Sequence, residues 1–563
     1  MPKKSVAPSV VIDHLSFSFA DGTPVFSDLS LTFPSGFTAL MGANGLGKSV
    51  LLRLIAGQLT PDTGHISVPS PPVVLPQDLT LQADTTVADL LGVTDVLAAI
   101  EELSRTDPAP EPDRVAELLE IIGDQWDAED SACADLAAHG PVSLPAEPGT
   151  LRRAVSTLSG GEAMLVALVG LRRGQPQLTL LDEPSNNLDE GARSRLVESL
   201  SDWPGSVIVV THDRALLRAA EHLVELKPAR IRRGRPDGVV SETFGGWDAR
   251  ERVLTERQES AERRLARAQS DLRHEKQARE AEQARASRSA AQGRKAAENM
   301  PKILAQTLKR KAEANTADTR ATRDARVGDA AAEVGAAREA LKELISIDVN
   351  LPGTRVGAGT VVVSSIVPEL VTGRIVADDG VPLPPGAPLT VRGPECVALS
   401  GPNGAGKSTL LEQVLPDASV PFGVLSQRTG STAGEELDPD RSALENLLDR
   451  VPALTQGHAR DVLAKLALRG ERVHQSYGSL SGGERFRVDL ARILAATPAP
   501  QLLVLDEPTN DLDLDSVEAL ASALADFGGA LILVSHDTEL LETVGVTRTW
   551  ELVEPVTASE ELS

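Results

Sequence analysis

Five short motifs recur in the same order in the two halves of this 563-residue chain. The first copy comprises Gly42–Ser49, Gln77, Leu158–Glu162, Leu180–Pro184 and His212. The second copy comprises Gly401–Ser408, Gln427, Leu480–Glu484, Val504–Pro508 and His536. In both copies, 29 residues separate the glutamate of the fourth motif from the histidine. An internal repeat of this kind predicts two equivalent domains, which we place at residues 5–245 and 355–555.

Each repeat alternates short apolar strands with helical segments. In the first repeat Phe37–Met41 runs directly into the glycine-rich motif, and Leu178–Leu181 and Val207–Val210 are further apolar segments of strand length. Strands that alternate with helices predict a parallel sheet with right-handed crossovers. The expected fold class is therefore α/β in both domains.

Composition restricts the class of protein. There is no run of 18 or more apolar residues, so the sequence predicts no membrane span. The only two cysteines, Cys133 and Cys396, provide no disulfide framework, which fits a cytoplasmic location. The net charge of −25 argues against nucleic-acid binding by the surface as a whole.

Positive charge is nevertheless concentrated between the repeats, in residues 246–350. Residues 285–326 carry 11 Lys and Arg against 4 Asp and Glu. The segment is rich in Ala, Arg, Glu and Gln, which favour helices, and Pro301 interrupts it near the middle. We expect a long α-helical hairpin linker of two antiparallel helices, with a basic turn near residues 293–306. Such a hairpin can be a plain spacer, but a spacer needs neither the charge asymmetry nor the apolar residues of its turn.

The glycine-rich motifs have the spacing of phosphate-binding loops. Their glycines allow backbone N–H groups to approach phosphate oxygens, and the helix that follows presents its positive N-terminus. The lysine would contact the β- and γ-phosphates, and the serine would bind Mg²⁺. The residues predicted to bind ATP in these loops are Gly42, Asn44, Gly45, Gly47, Lys48, Ser49, Val50, Gly401, Asn403, Gly404, Gly406, Lys407, Ser408 and Thr409.

Acidic pairs follow two of the apolar strands. Asp182 and Asp506 end their strands and are expected to hold Mg²⁺ with Ser49 and Ser408. Because side chains alternate along a strand, the following residues, Glu183 and Glu507, would face the γ-phosphate and activate water. The candidate γ-phosphate contacts are His212 and His536, and the candidates for the metal or water shell are Gln77 and Gln427.

The third motif places a serine and two glycines at the start of a helix, which is a further anion site. These residues are Ser159–Gly161 and Ser481–Gly483. With this motif the chain resembles the ATP-binding-cassette (ABC) ATPases. The resemblance implies two cassettes packed head to tail within one polypeptide, so that Gly42–Ser49 faces Ser481–Gly483 and Gly401–Ser408 faces Ser159–Gly161. ATP and Mg²⁺ would then join the cassettes of a monomer.

The chain resembles the ABC-F family, because it combines two cassettes with a basic helical linker and has no predicted membrane span. Asp182–Asp189 and Asp506–Asp513 are close to its DEPTN-x-LD pattern. The resemblance implies an ATPase that binds the ribosome at the exit (E) site and acts on the P-site tRNA and peptidyl-transferase region. The linker residues expected to contact rRNA or tRNA are Met300, Lys302, Lys309, Arg310 and Lys311.

Three departures separate the repeats. Phe19 stands where an aromatic residue stacks on adenine, whereas the second repeat has Asp378 at that distance and Arg374 close by. The first signature helix continues with Ala163 where the second has Arg485. The helical part of the first repeat also has about 28 more residues, including the acidic residues 124–135, which we interpret as a longer surface loop.

The sequence leaves three functions open. Ribosome protection against an antibiotic is favoured, because the linker is long and its turn carries apolar residues. A general translation factor of the same family is the first alternative. The ATPase subunit of an exporter, with a separate membrane protein, is the second, although such a subunit needs no basic hairpin.

Overall fold

A computed structural model describes most of the chain. The described residues are 10–75, 85–105, 111–186, 188–229, 231–232, 235–236, 238–297, 322–337, 353–367, 374–376, 381–384, 386–402, 405–425, 437–452, 454–466, 468, 470–509, 512–535 and 537–553. Contacts divide the chain into two compact units, one formed by Met1–Asp248 with Ile347–Ser563 and the other by Ala249–Ser346. The first unit contains both cassettes.

The first cassette is an α/β structure. Its strands are β1 (Val10–Ser18), β2 (Pro24–Phe33), β3 (Phe37–Gly42), β4 (Thr63–Ser67), β5 (Val73–Val74), β6 (Leu178–Asp182), β7 (Ser206–Val210), β8 (His222–Pro228), β9 (Ile231–Arg232), β10 (Arg235–Pro236) and β11 (Val239–Phe244). Its helices are α1 (Lys48–Ile55), α2 (Val87–Leu90), α3 (Thr94–Leu103), α4 (Pro112–Ile122), α5 (Ala128–His139), α6 (Pro148–Leu151), α7 (Gly160–Arg173), α8 (Glu190–Ser201) and α9 (Arg214–Ala219).

The second cassette repeats this design. Its strands are β12 (Thr360–Ile366), β13 (Ile375–Val376), β14 (Pro388–Gly393), β15 (Cys396–Ser400), β16 (Phe422–Leu425), β17 (Leu502–Asp506), β18 (Ala530–Val534) and β19 (Arg548–Leu552). Its helices are α12 (Lys407–Val414), α13 (Ala443–Arg450), α14 (Gln456–Lys465), α15 (Gly482–Leu494), α16 (Leu514–Ala525) and α17 (Thr538–Val544).

Within the part of the chain that the structure describes, a six-stranded sheet forms the centre of each cassette. Its order is β11-β8-β3-β7-β6-β5 in the first and β13-β19-β15-β18-β17-β16 in the second. Five strands of each sheet are parallel, and the outer strand at one edge is antiparallel. The parallel α/β prediction is thus confirmed. Since the carboxyl ends of parallel strands meet at one edge, this topology brings the motifs that follow β3, β6 and β7 together.

The antiparallel edge strand has a different origin in each cassette. In the first it is β11, which follows β8 at the end of the cassette. In the second it is β13, which comes from the segment between β12 and β14 and pairs with β19 through Ile375–Leu552 and Val376–Glu551. The antiparallel edge position is therefore occupied by a strand from the C-terminal part of the first cassette and by a strand from the N-terminal part of the second.

Aliphatic side chains fill the cores, as the low aromatic content requires. The first cassette packs residues such as Leu40, Leu51 and Ile208 around its sheet. The prediction of a surface loop is wrong for residues 128–135. These residues belong to α5, and Ala128 and Ala132 are buried there in a separate apolar cluster. The extra residues of the first cassette therefore add packed helices.

The second unit is helical. Helix α10 (Trp247–Ala297) enters it, and residues 322–337 form a further helix, α11. Arg323 on α11 lies 3.4 Å from both Glu275 and Glu282 of α10, and Arg279 of α10 lies 3.4 Å from Asp324. These ion pairs join two helices, as the hairpin prediction requires. Most of the expected turn lies outside the described residues.

No helix in the described part of the chain is long and apolar enough to cross a membrane.

Candidate ATP sites between the two cassettes

The first phosphate loop joins β3 to α1 and is organised around Lys48. The Lys48 Nζ donates to the carbonyl oxygens of Gly42 at 2.7 Å and Ala43 at 3.3 Å, and to Asn44 Oδ1 at 3.3 Å. Burial lowers the pKa of Lys48, and the nearby carboxylate of Glu183 opposes this effect. The ammonium group is thus held over a loop whose helix presents its N-terminus, which suits phosphate binding.

The second loop has the same arrangement around Lys407. Its Nζ donates to the carbonyl oxygens of Gly401 at 2.6 Å and Pro402 at 3.4 Å. Gly401 has a φ of 140°, and a Cβ there would lie 2.5 Å from the backbone oxygen of Leu552. Gly42 has a φ of 145° and an equally close carbonyl oxygen. Both backbone conformation and space therefore require glycine at the start of each loop.

The catalytic carboxylates that we predicted stand in a strained turn. Strands β6 and β17 end at Asp182 and Asp506. Glu183 and Glu507 have φ values of 47° and 48°, and their N–H groups donate to the last residues of β7 and β18 at 2.9 and 2.8 Å. Strand alternation was therefore the wrong reason for their orientation. A left-handed backbone conformation is energetically costly for residues other than glycine. Its occurrence at both equivalent positions indicates a functional constraint.

His212 contacts the first of these glutamates. Its Nε2 lies 3.3 Å from Glu183 Oε1 and 3.2 Å from Asn44 Oδ1. Burial, together with the charge of Lys48, lowers the pKa of His212 to about 3, so the ring is neutral near pH 7. Burial raises the pKa of Glu183 to about 8 and that of Glu507 to about 7. Asn44, Glu183 and His212 thus form one connected polar group beside the phosphate loop.

The residues around the first acidic strand end suit a hydrated Mg²⁺. The Oδ1 atom of Asp182 is buried and has no hydrogen-bond partner among the described residues. In the second cassette the Ser408 hydroxyl donates to Asp506 Oδ2 at 3.4 Å. No cluster of three or more His, Cys, Asp or Glu among the described residues could hold a metal ion. Carboxylate and hydroxyl oxygens would therefore bind Mg²⁺ together with nucleotide phosphates and water.

Both signature helices begin with a capping box. The hydroxyl of Ser159 accepts from the Glu162 N–H at 3.2 Å, and Glu162 accepts from the Ser159 N–H at 2.8 Å. Ser481 and Glu484 repeat these bonds at 3.3 and 3.1 Å. The capping boxes fix the direction of α7 and α15 and leave the first N–H groups of each helix available to an anion.

A cavity of about 930 Å³ lies between the cassettes and joins the two halves of the first site. Asn44, Gly45, Glu183 and His212 line it from the first cassette, and Ser481, Gly482 and Arg485 line it from the second. The structure therefore brings the first phosphate loop and the second signature helix to one cavity, as the head-to-tail arrangement predicts.

Aspartates that cap helices extend across the same interface. Asp513 caps α16 and its Oδ2 accepts from the Asn44 N–H at 3.4 Å. Its equivalent, Asp189, caps α8 and is one of the carboxylates that act on Lys407 of the second cassette. We missed both residues, although their shared distance of seven residues from Asp182 and Asp506 was visible in the sequence.

The places expected for adenine differ between the cassettes. Phe19 follows β1, is 47% exposed and packs edge-on against Phe17. In the second cassette the Arg374 guanidinium donates to the carbonyl oxygens of Ala405 at 3.0 Å and Val553 at 3.1 Å. Arg374 thus braces the second phosphate loop from the segment that carries β13. Adenine stacking on Phe19 stays a prediction.

Among the described residues, three ion pairs cross the interface, and sequence reasoning gave no signal for them. Arg214 Nη1 lies 2.8 Å from Glu539, and Arg214 Nη2 lies 3.4 Å from Glu518. Arg218 Nη2 also lies 2.8 Å from Glu539. We call these four side chains the interface ion cluster. The paired residues are 304 to 325 positions apart in the chain, which explains why no local pattern indicated them.

Several predicted site residues lie outside the described part of the chain. They are Gln77, Asn403, Gly404, Gln427 and His536 of the ATP sites, and Met300, Lys302, Lys309, Arg310 and Lys311 of the linker. Their positions stay predictions. The remaining ATP-site residues are described, including Val50 on α1, Thr409 on α12, and Gly47 and Gly406, which precede those two helices.

Comparisons with known proteins identify the family of this chain. The ABC transporter family model matches residues 26–186 and 386–510. The tylosin resistance ATP-binding protein of Streptomyces fradiae is 33% identical, over 92% of this chain and 93% of that protein. The energy-dependent translational throttle protein EttA of Mycobacterium tuberculosis is 30% identical, over 92% and 87%. The mouse ATP-binding cassette sub-family F member 3 is 28% identical, over 96% and 71%.

The twofold match of the cassette model agrees with the repeated sheets and phosphate loops of the structure. The similarity to the relatives extends over nearly the whole chain, so it includes the linker as well as the cassettes. The chain belongs to the ATP-binding-cassette family, as a member of its F subfamily, and is an ATPase.

Proposed function

We propose that this ATPase is a nucleotide-driven clamp that binds the ribosome at the exit site in its ATP state. From there it acts on the P-site tRNA and the peptidyl-transferase region and protects the ribosome against an antibiotic. The observation that carries the proposal is the cavity shared by the first phosphate loop and the second signature helix, because ATP bound there contacts both cassettes of one chain.

The chemistry of the clamp follows from the site. ATP and Mg²⁺ join the phosphate loop of one cassette to the signature helix of the other, so binding stabilises the closed state. Glu183 and Glu507 orient and deprotonate the attacking water, and His212 and His536 contact the γ-phosphate. Mg²⁺ neutralises phosphate charge when bound at Asp182 or Asp506. Hydrolysis removes the γ-phosphate contact and lets the cassettes separate.

The linker provides the contact with RNA. Lys302, Lys309, Arg310 and Lys311 are placed in a segment of net positive charge within a chain of net charge −25. Such a segment would bind phosphate groups of rRNA or tRNA, while Met300 would contact bases or a nearby ligand. A location in the cytoplasm, where ribosomes are found, follows from this role.

The names of the relatives favour two forms of this function. The protein of Streptomyces fradiae is a tylosin resistance protein, and EttA is a translational throttle protein. We favour resistance, because the first of these is the more similar of the two in sequence. A general effect on translation is the second candidate.

The double variant Glu183→Gln with Glu507→Gln tests ribosome binding. It is expected to bind ATP without hydrolysing it and therefore to sediment with 70S ribosomes in ATP but not in ADP. The parent protein in ATP and the double variant with Lys48→Ala and Lys407→Ala are the controls. Sedimentation of the ATP-loaded double variant free of ribosomes would overturn the proposal, and recovery with membranes would instead favour an exporter subunit.

A linker variant tests the contact with RNA. Replacing the four basic linker residues by Gln is expected to abolish tylosin resistance in a sensitive host while intrinsic ATPase activity stays the same. The matched control replaces four basic residues of α10, which are Arg263, Arg264, Arg267 and Arg273. Equal resistance in the two variants would reduce the linker to a spacer. Absence of resistance in the parent, with ribosome binding retained, would favour the translation factor.

A further inference from the structure

The interface ion cluster is centred on its most buried member. The Arg214 side chain is 11% exposed, whereas Glu539 is 34% exposed and Glu518 and Arg218 are about half exposed. The two terminal nitrogens of Arg214 serve two different carboxylates. A lysine could not reproduce this fork, because its single ammonium lacks two separately directed ends.

Arg214 is the first residue of α9 and directly follows the turn that carries His212. The Asp213 N–H donates to Thr211 Oγ1 at 3.0 Å, and Asp213 Oδ1 caps α9 by accepting from the Ala215 N–H at 2.8 Å. These bonds make the turn short and rigid. A displacement of Arg214 is therefore transmitted to His212, two residues earlier in the chain.

A second arginine holds the same turn from its own cassette. Arg193 on α8 has its Nε 2.9 Å from Asp213 Oδ2, and the Asp213 side chain is 8% exposed. Both Arg193 and Arg214 line the cavity between the cassettes. The turn is thus fixed from the first cassette through Asp213 and from the second through Arg214.

The residues of the interface ion cluster are not repeated at the equivalent sequence positions of the other cassette. A shift of 324 residues, which superposes Asp182 on Asp506, places Thr538 at the position of Arg214. The same shift relates Glu539 to Ala215 and Glu518 to Ser194. Neither the cation nor its carboxylates exist for a reciprocal set. The cation of this cross-cassette contact therefore lies beside the histidine turn of the first ATP site.

We propose that Arg214 is a positioning residue of the first ATP site, which Glu539 and Glu518 of the second cassette hold so that His212 is aligned when the cassettes meet. When the cassettes close, this charged contact thereby aligns the histidine turn of the first ATP site. The proposal rests on the proposed roles of Glu183 and Glu507 in hydrolysis.

Single-site proteins allow the proposal to be tested. Glu507→Gln leaves only the first site active, and Glu183→Gln leaves only the second. In the Glu507→Gln protein, Glu539→Gln is expected to slow single-turnover ATP hydrolysis about fivefold, the size of effect expected when Arg214 loses one of its two charge-assisted contacts. In the Glu183→Gln protein, the same change is expected to alter the rate by less than about twofold.

A double-mutant cycle tests whether Arg214 and Glu539 affect hydrolysis through their contact with each other. Adding Arg214→Gln to Glu539→Gln should cause less loss than Arg214→Gln causes alone, because the nearer of the two partners of Arg214 is already absent. Glu542→Gln is the matched control. It removes an exposed carboxylate of the same helix, α17, that does not line the cavity. Its rate should equal that of its parent in both single-site proteins.

Equal slowing of both sites by Glu539→Gln would overturn the proposal, since a plain interface contact would then suffice. The proposal would also be wrong if Glu539→Gln slowed hydrolysis at neither site, or if Glu542→Gln slowed hydrolysis as much as Glu539→Gln.

A wrong assignment of the catalytic glutamates would be recognised separately, because the protein with both Glu183→Gln and Glu507→Gln would then still hydrolyse ATP.

Discussion

A buried acid in the second signature helix makes stability depend on pH. Asp489 on α15 is 6% exposed, accepts from the Tyr477 hydroxyl at 2.8 Å, and has an Oδ1 with no hydrogen-bond partner among the described residues. Burial raises its pKa to about 6, while Tyr477, Arg492 and Arg485 oppose the change. The protonated acid is therefore favoured in the folded state, and ionisation is unfavourable there.

The sign and size of the effect follow from linkage. The ordinary pKa of 3.8 rises to about 6 in the folded state, so the folded protein loses stability as pH rises through this interval. Two pKa values that differ in this way correspond to a loss of roughly 2 kcal/mol at pH 5 and roughly 3 kcal/mol at pH 8. Asp489→Asn keeps an oxygen for Tyr477 and carries no charge. The free energy of unfolding of this variant, relative to the parent, should increase by roughly 1 kcal/mol between these pH values.

The assay must report on the second cassette alone. The chain has 4 tryptophans, and only Trp550 lies in that cassette, where it is 1% exposed. With the other tryptophans replaced by Phe, Trp550 fluorescence follows urea unfolding at pH 5 and pH 8. Asp461→Asn, which removes an exposed carboxylate of α14, is the control and should show no such growth. An advantage of Asp489→Asn that is the same at both pH values would refute the reasoning.

Two further predictions concern packing and thiol chemistry. Gly170→Ala should destabilise the first cassette by about 2–4 kcal/mol in thermal unfolding, because its Cβ would lie 1.8 Å from the Leu90 backbone oxygen. Gly174→Ala, whose Cβ has ordinary contacts, should cost much less, and equal effects would contradict this packing. At pH 7.5 a thiol reagent should label Cys133 but not Cys396, since Cys396 is 5% exposed and burial raises its pKa to about 12. Labelling of both thiols in the native protein would show that β15 opens.

The sequence was sufficient to predict the parts of the ATP sites that depend on short segments. A phosphate loop needs glycines, a lysine and a following helix at fixed spacing, and all of these are local. The head-to-tail pairing of Asn44 with Ser481 was also predictable, because the family arrangement fixes it once both motifs are present. The structure places both residues at one cavity.

The features that were missed depend on contacts between distant segments. The acidic residues around Ala128 and Ala132 suggested a surface loop, yet the small apolar residues at helical spacing pack α5 into a core. The left-handed backbone of Glu183 is imposed by the neighbouring strand rather than by residue type, since glutamate has no preference for it. The contact of Arg214 with Glu539 joins positions whose separation no periodicity could show.

The origin of β13 has a practical consequence for work with this protein. Strand β19 pairs with β13 on one side and with β15 on the other. A fluorophore or affinity tag fused beyond Val553 therefore meets no open edge of that strand with which it could form hydrogen bonds. By contrast, α10 begins three residues after the end of β11, so an insertion there would lengthen the short connection between the sheet and the linker helix. The C-terminal side of β19 is the better place to attach a reporter of clamp closure.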